Sequence, residues 1–377
     1  LVPYSASVYK GLSGLFAMSF QIDYTYCIII MALITAIYVI VGGYMATAFN
    51  DLFQGIIMIF GIGAVIYSIL HQQGGFLSAL NNLSQIPAES APELAGAFTS
   101  FFGPDPWGLL SVVLLTSLGT WGLPQMVHKF YAIKSEKAVY TGTIISTFFA
   151  LIVAGGSYFL GGFSRLYDSP AIYDAAGNIV YDSIIPTMLS TLPDVVIGVV
   201  IMLVLSASMS TLASLVLTSA STLTLDFIKG TVVKDLSEKK QMIWLRVLVA
   251  VFLLISVILA IDPPTFIAQL MGISWGALSG AFLAPFLYGL YWKRTTRAAV
   301  WASFATGVGI TVANMFIGFI DSAINAGAIT MLVSLIIVPV VSLLTKPLPK
   351  EQIEQSFACY EEKVTVARKY QLRHDDK

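Results

Sequence analysis

The sequence predicts an all-α polytopic membrane protein, and two properties carry this prediction: composition and the length of the apolar runs. Hydrophobic residues make up 57% of the 377-residue chain and charged residues only 11%, whereas soluble proteins average about 25% charged residues. Apolar runs of about twenty residues, the length that crosses a bilayer core of roughly 30 Å, recur along the chain. These runs are too long and too continuous for transmembrane β-strands, in which hydrophobicity alternates over about ten residues.

The apolar runs predict nine membrane spans and a weaker tenth. The weaker run covers residues 1–20, where Lys10 interrupts the hydrophobic pattern. The nine stronger runs are residues 24–46, 52–70, 107–127, 138–163, 195–225, 243–261, 265–292, 296–318 and 325–345. Two long connections, residues 72–106 and 164–194, contain the Pro, Gly, Asn and acidic residues typical of irregular or short amphipathic segments.

The distribution of Lys and Arg predicts the orientation of these spans. When successive connections are assigned to alternate sides, eleven basic residues in or beside the connections and seven of residues 346–377 fall on one side, eighteen of the twenty. The opposite side receives only Arg165. Because cytoplasmic connections carry the excess of basic residues, we expect this multi-pass protein of the cell membrane to have a cytoplasmic C-terminal tail, residues 346–377. Residues 1–345 then form one transmembrane domain, surrounded by the lipid bilayer, and the net charge of -1 suggests no nucleic-acid partner.

The chain offers few residues for catalysis. Its three histidines, His71, His128 and His374, are dispersed over connections and tail, so their spacing gives no metal cluster or catalytic triad. Lys10 and Asp51 are the main ionisable residues in the predicted spans, which argues against a proton relay or a voltage sensor. Asp51 begins a predicted helix at the cytoplasmic side, where we expect it to act as an N-cap rather than to bind an ion. The sequence therefore predicts a protein that is not an enzyme.

The span near residues 195–227 is long enough to cross a bilayer and yet carries ten Ser and Thr hydroxyls between Ser206 and Thr224. At helical spacing, one face of it presents a stripe formed by Ala207, Ser210, Thr211, Ser214 and Thr218. Hydroxyl groups need partners in hydrocarbon, and hard cations such as sodium take oxygen ligands. Alternatively, these hydroxyls bond back to carbonyls of their own helix or allow helices to pack closely.

A second informative segment lies in the span near residues 107–127, where Gly119, Gly122 and Pro124 interrupt the apolar run. Pro124 removes a backbone donor and clashes with the preceding turn, which leaves carbonyl groups near Thr120 without partners. The sequence therefore predicts a broken helix here. Such breaks form binding sites in secondary transporters, although an ordinary proline kink is the alternative.

Four blocks together make the sequence similar to the sodium/solute symporter family, whose members include proline, pantothenate, sugar and monocarboxylate carriers. The blocks are Gly42-Gly43-Tyr44-Met45-Ala46 with Asn50-Asp51-Leu52-Phe53-Gln54; Gly122-Leu123-Pro124-Gln125 with Lys129-Phe130 and Ala132-Ile133-Lys134-Ser135; Ala207 and Met209-Ser210-Thr211-Leu212 with Ser221-Thr222 and Asp226; and Gly289-Leu290-Tyr291-Trp292-Lys293-Arg294 with Thr296. Asn50 stands where the family usually has Thr. The order and spacing of the blocks across about residues 1–345 support the resemblance.

The resemblance implies an inverted-repeat bundle of five-plus-five core helices in which a sodium ion lies between the first and eighth helices. Residues 107–129 then correspond to core helix six and residues 195–226 to core helix eight. Ser210 and Thr211 match side-chain sodium ligands, and Ala207 matches a ligand through its carbonyl oxygen.

The broken core helix six is expected to line the substrate cavity. We therefore expect Thr120, Trp121 and Gly122 to contact the solute and Pro124 to maintain the break. Trp121 either stacks on the solute or gates it, or it anchors the helix at the lipid interface. Residues 122–125 read Gly-Leu-Pro-Gln, which is closer to the Gly-Leu-Pro-His of pantothenate-type carriers than to the Gly-Gln-Pro-His of proline carriers.

By the same comparison the chain begins in core helix three, so the first repeat is incomplete. We expect the chain to be a fragment that does not transport by itself. The predicted function is sodium-coupled symport of a small organic solute such as an amino acid, pantothenate or a monocarboxylate, by alternating access. A transporter-like membrane sensor is the alternative, which a signalling module after Lys377 would support. A channel is disfavoured because the polar groups are concentrated in two helices.

Overall fold

The computed structural model describes residues 1–88, 90–130, 133, 135–233 and 235–360, without the side chains of residues 42–47. Its long helices are α1 (Val2–Phe20), α2 (Tyr24–Gln72), α6 (Glu136–Phe163), α8 (Asp194–Ser221), α9 (Glu238–Ile261), α10 (Ile267–Tyr291), α11 (Arg297–Ile317) and α12 (Ala323–Leu344). The shorter ones are α3 (Phe76–Ser84), α4 (Pro106–Ser117), α5 (Pro124–Phe130), α7 (Tyr181–Ser190) and α13 (Lys350–Phe357). A π-helical segment, Thr222–Val232, continues α8.

The predicted spans are confirmed. Among the described residues, eight stretches are long and apolar enough to cross a membrane, and the bent pair α4 and α5 makes a ninth. The helix α1 forms the tenth predicted span but is less apolar because it carries the buried serines Ser5, Ser7 and Ser13. It packs against α2, α8, α9 and α10, so α1 lies inside the bundle.

Two predicted spans form the two arms of α2, which reverses direction between Tyr38 and Asn50. The Asn50 amide donates to the Tyr38 hydroxyl over 3.0 Å, although twelve residues of a straight helix would span about 18 Å. At the other end of the arms, the Tyr24 hydroxyl donates to the Ala260 carbonyl over 2.9 Å and the Gln72 amide to the Thr191 carbonyl over 2.7 Å. Both ends of α2 therefore lie at the same end of the bundle.

We call the end of the bundle that carries the long connections the loop end and the opposite one the basic end. At the loop end, α3 and α7 interrupt the two connections as short helices, and Tyr173 pairs with Ile179 in an isolated β-bridge. Hydrogen bonds from the backbone and side chain of Asn178 hold the pKa of the Asp174 carboxyl below its usual range. The loop end therefore carries ordered structure above the membrane spans.

At the basic end, α13 gives the tail a short helix, and the Lys293 ammonium lies 5.5 Å from the centre of the Phe357 ring. Several residues of the sequence predictions lie outside the described part. These are the side chains of the first family block at residues 42–46, Ala132 and Lys134 of the second block, Lys234 of the basic connections, and residues 361–377 of the tail.

Candidate functional site

The predicted hydroxyl stripe occupies an incompletely covered face of α8. Ala207, Ser210, Thr211 and Ser214 are partly exposed, whereas Met209, Leu212, Ala213 and Leu215 on the other faces of the helix are buried. Leu212 and Ala213 pack into the core that α1, α2 and α9 share with α8. Oxygen atoms of the stripe are thus presented to open space in the middle of a membrane span.

One hydrogen bond already joins two of the predicted sodium ligands. The Thr211 hydroxyl donates to the Ala207 carbonyl over 2.8 Å, as the back-bonding alternative describes. A hydroxyl that donates keeps its lone pairs, and a carbonyl oxygen has two of them. Both oxygens can therefore still accept a cation, and the bond holds them on the same side of the helix.

Asp51 brings a carboxylate to this face, and its predicted role as an N-cap is wrong. Asp51 has a helical conformation inside α2, in the first turn of its second arm, Ala48–Gln72, and is not the residue that precedes the helix. Its carboxylate lies beside the Ser210 hydroxyl, with Lys129 as the nearby cation. One oxygen, Oδ1, is buried and has no hydrogen-bond partner among the described residues. A negative charge with a free oxygen therefore faces a predicted sodium ligand.

A cavity of about 440 Å³ opens beside this group between α2, α5, α8 and α9. Gln125, which begins α5 after Pro124, is only 4% exposed and lines this cavity. Neither the nitrogen nor the oxygen of its amide has a hydrogen-bond partner among the described residues. The other polar side chains of the wall are Asp51, His128, Lys129, Ser214, Thr218, Ser221 and Arg246. The cavity therefore lies in the basic half of the bundle, with polar side chains set in a mostly apolar wall, and shares Ser214 and Thr218 with the hydroxyl stripe.

The predicted helix break is confirmed. A short 3-10 turn, Gly119–Gly122, follows α4, Leu123 adopts an extended conformation, and α5 leaves at an angle of 49° to the preceding helix. The Gly119 carbonyl freed by the break accepts a 2.7 Å hydrogen bond from Ser279 of α10. Gly122 lies against the same helix, where a Cβ atom would come within 2.9 Å of the Leu283 nitrogen. Small residues therefore allow α10 to hold the break in place.

The four predicted solute-contact residues have different surroundings. Thr120 is partly exposed, and its hydroxyl donates to the Ser117 carbonyl over 2.9 Å. Trp121 is 62% exposed, and Gly122 is buried against α10. Pro124 lines a second cavity of about 560 Å³ together with Thr218 of α8. The structure thus brings the break next to the inner half of the hydroxyl face through Pro124.

Two residues of this region, Asp51 and Gln125, are not predicted as site residues from the sequence. Asp51 is a lone acid in an apolar span, a signal that indicates function by default in membranes. In the sequence, Gln125 stands out only because pantothenate-type and proline carriers have His at this position. Local patterns give no sign that either side chain would face α8, because both contacts join segments far apart in the chain.

Comparisons with known proteins agree on one family. The model of the sodium:solute symporter family matches residues 4–307. A sodium/pantothenate symporter of Haemophilus influenzae is 28% identical over 301 residues, which is 79% of this chain and 60% of that protein. A sodium/proline symporter of Escherichia coli is 27% identical over 308 residues, which is 81% of this chain and 59% of that protein. The chain thus spans about 60% of the length of these curated relatives.

A solved structure shows the same fold. A sodium-coupled sialic acid symporter, determined in a substrate-bound outward-open state, superposes with a TM-score of 0.71 at 17% sequence identity. The match covers 93% of this chain and 73% of the other.

Proposed function

The chain belongs to the sodium:solute symporter family, and from this premise we propose that it serves sodium-coupled symport of a small organic solute by alternating access. The proposed solutes are an amino acid, pantothenate, a monocarboxylate or a similar molecule, in line with the proline and pantothenate symporters among its relatives. Residues 1–345 are the proposed transporter domain. The tail, residues 346–377, and the basic end lie on the cytoplasmic side in this proposal.

The open hydroxyl face of α8 is the observation that carries the proposal. Ser210 and Thr211 supply hydroxyl oxygens and Ala207 supplies its carbonyl oxygen to the sodium ion. Asp51 adds a negative charge beside Ser210, which favours a monovalent cation over a neutral ligand. Sodium is a ligand that these oxygens suit.

The solute is proposed to bind at the helix break. The backbone near Thr120 and Gly122 is irregular there, and irregular backbone at membrane depth is tolerated where it is buried in protein or lines a cavity. Pro124 maintains the bend, and Trp121 offers an exposed aromatic ring for stacking on the solute or for gating it. The adjoining cavity near Gln125 and Asp51 provides the route to the basic end.

The membrane potential supplies part of the driving force. One sodium charge that moves inward gains about 2.3 kcal/mol per 100 mV, before any concentration gradient is counted. Sodium at α8 stabilises the state open to the outside, the solute binds at the break, and the loaded carrier turns inward. Release then takes place through the cavity at the basic end.

Uptake into vesicles tests this function. The complete protein is reconstituted, and a panel of labelled proline, pantothenate, short monocarboxylates and sugars is offered with and without a sodium gradient. The Ser210→Ala/Thr211→Ala variant removes two hydroxyls from the open face. The matched control, Ser208→Ala, removes one hydroxyl from a buried position of the same helix. We expect saturable, sodium-dependent uptake of one solute class, lost in the double variant and kept in the control.

Two other outcomes would contradict the proposal in different ways. Uptake that does not depend on sodium would show that transport is not coupled to sodium. Solute binding without any flux would favour a membrane sensor instead of a carrier.

A further inference from the structure

An ion pair inside the loop-end half of the bundle joins three elements that are far apart in the chain. The Lys10 ammonium of α1 lies 2.6 Å from Oδ2 of Asp182, the second residue of α7. The same ammonium donates to the Thr265 carbonyl over 3.1 Å, just before α10. The two side chains are only 19% and 18% exposed. The pair is thus enclosed on most sides and reached by solvent on one.

The pair lies well below the surface of the loop end. Phe20, the last residue of α1, is ten residues beyond Lys10, which corresponds to about 15 Å along a helix. Asp182, in contrast, belongs to the long connection that follows α6. The start of α7 therefore reaches into the bundle from the loop end.

Asp182 also fixes the start of α10. Its two carboxylate oxygens accept hydrogen bonds from the Ile267 backbone nitrogen over 3.0 Å and 3.3 Å. A carboxylate at this position satisfies a free donor and interacts favourably with the helix dipole. Beside it, the Tyr181 and Phe266 rings lie 5.0 Å apart. One side chain thus holds α7 on α1 and α10 at once.

Separation of the pair would leave each charge without its partner in this partly enclosed site. Lys10 paired with Asp182 has its charge compensated in a water-poor site. Lys10 without this partner is an uncompensated buried charge unless water reaches it. Withdrawal of α7 and hydration of the space around Lys10 must therefore occur together.

We propose that Lys10 and Asp182 form a loop-end latch. With the pair formed, α7 lies on α1 and α10 and closes the entrance from the loop end. With the pair separated, α7 lifts and water reaches the inner part of α10. The inference takes from the proposed function only that the loop end faces the outside.

Thiol accessibility tests the latch without transport. In the complete protein with Cys27→Ser and Cys359→Ser, a reporter cysteine is placed by Ser274→Cys, whose parent hydroxyl is buried and lacks a partner among the described residues. Ser274 lies seven residues beyond Ile267, about 10 Å further into the bundle. The matched reporter, Gly14→Cys, lies one turn beyond Lys10 toward the loop end, where a Cβ atom meets nothing within 4 Å.

A membrane-impermeant thiol reagent is applied from the loop end in potassium buffer without solute. Asp182→Asn keeps an acceptor for the Ile267 nitrogen and removes the charge that pairs with Lys10. We expect this variant to raise the modification rate of the Ser274→Cys reporter about tenfold, while the Gly14→Cys reporter keeps its rate.

The double variant Lys10→Met/Asp182→Asn removes both charges and leaves none unpaired. It therefore tests the effect of losing the pair if Asp182→Asn does not fold. It too is expected to expose the inner reporter. Equal rates at Ser274→Cys with and without the pair would overturn the latch. Because neither sodium nor uptake enters the readout, a failure of the latch is distinct from a failure of sodium-coupled symport.

Discussion

Two regions of this molecule are rich in hydroxyl groups inside the membrane, and the same residue types have opposite surroundings in them. Between α10, α11 and α12, the hydroxyls of Ser303 and Ser334 bond to each other across the helix contact, and those of Thr306, Thr311 and Thr330 bond to carbonyls of their own helices. The fully buried Ser303 hydroxyl lies 2.6 Å from the Ser334 hydroxyl and 3.1 Å from the carbonyl oxygens of Gly280 and Ala281. On α8, Ser210 and Thr211 face open space beside Asp51.

The difference lies in whether another helix covers the hydroxyls. Glycines bring α10 into direct backbone contact with its neighbours: a Cβ atom on Gly276 would lie 2.5 Å from the Gly327 Cα atom. Ser303 and Ser334 then lie within hydrogen-bond distance of each other, and this contact is structural. Among the described residues, no glycine contact brings a helix onto Ser210 and Thr211 in this way, and both remain partly exposed.

The largest expected effect concerns the close packing of α10 against α11. A Cβ atom at Gly307 would lie 2.4 Å from the Ala281 nitrogen and 2.4 Å from the Gly280 carbonyl carbon. Because backbone atoms cannot move aside as a side chain does, Gly307→Ala is expected to lower the free energy of unfolding by about 3 kcal/mol. Denaturant unfolding in detergent measures this.

Gly309 on the same helix gives the matched control. It is exposed, and a Cβ atom there meets nothing within 4 Å. Gly309→Ala should leave the free energy of unfolding within about 0.5 kcal/mol of the parent. Equal losses in the two variants would mean that backbone contact between α10 and α11 does not decide the effect.

A second prediction concerns the charge on the open face. Asp51→Asn keeps the shape of the side chain and removes the negative charge beside Ser210. We expect the sodium concentration for half-maximal uptake to rise about tenfold, equivalent to about 1.4 kcal/mol. Asp235→Asn, which neutralises an exposed acid in the connection before α9, should leave that concentration unchanged. An unchanged sodium dependence in Asp51→Asn would show that the carboxylate does not act on the ion.

The smallest expected effect concerns a buried hydroxyl between α10, α11 and α12. Ser303→Ala removes a hydroxyl that bonds only within the helix packing. A loss of about 1 kcal/mol in the free energy of unfolding is expected, since hydrogen bonds between membrane helices contribute about that much. The sodium dependence of uptake should not change. A shift in sodium dependence with unaltered unfolding would reverse the assignment of the two regions.

Much of this architecture follows from local sequence. The spans are predictable because runs of about twenty apolar residues have few other uses. The break before α5 is predictable because Pro124 cannot continue a helix and Gly119 and Gly122 weaken it. The hydroxyl face of α8 follows from helical spacing alone.

The contacts that give these features their meaning do not follow from local sequence. Asp51 was predicted as an N-cap because an acid at a helix start fits that role, and only the reversal of α2 brings its carboxylate to Ser210. Lys10 interrupts the apolar run of the tenth predicted span. The residue that compensates its charge, Asp182, lies 172 positions away and cannot be found from the local sequence. Ser279 gives no sign in the sequence that it holds the Gly119 carbonyl. Contacts between distant segments depend on helix packing, which single-sequence patterns do not encode.

Sodium-dependent stability tests the central claim, that the open face of α8 binds the ion, most directly. Thermal unfolding of the purified protein is followed at rising sodium concentration, with potassium at equal ionic strength as reference. The parent and Ser303→Ala should gain stability with sodium, by about 2.7 kcal/mol at a concentration one hundred times Kd. The Ser210→Ala/Thr211→Ala variant should gain none at these concentrations. A variant stabilised by sodium as much as the parent would place the ion elsewhere and contradict the account.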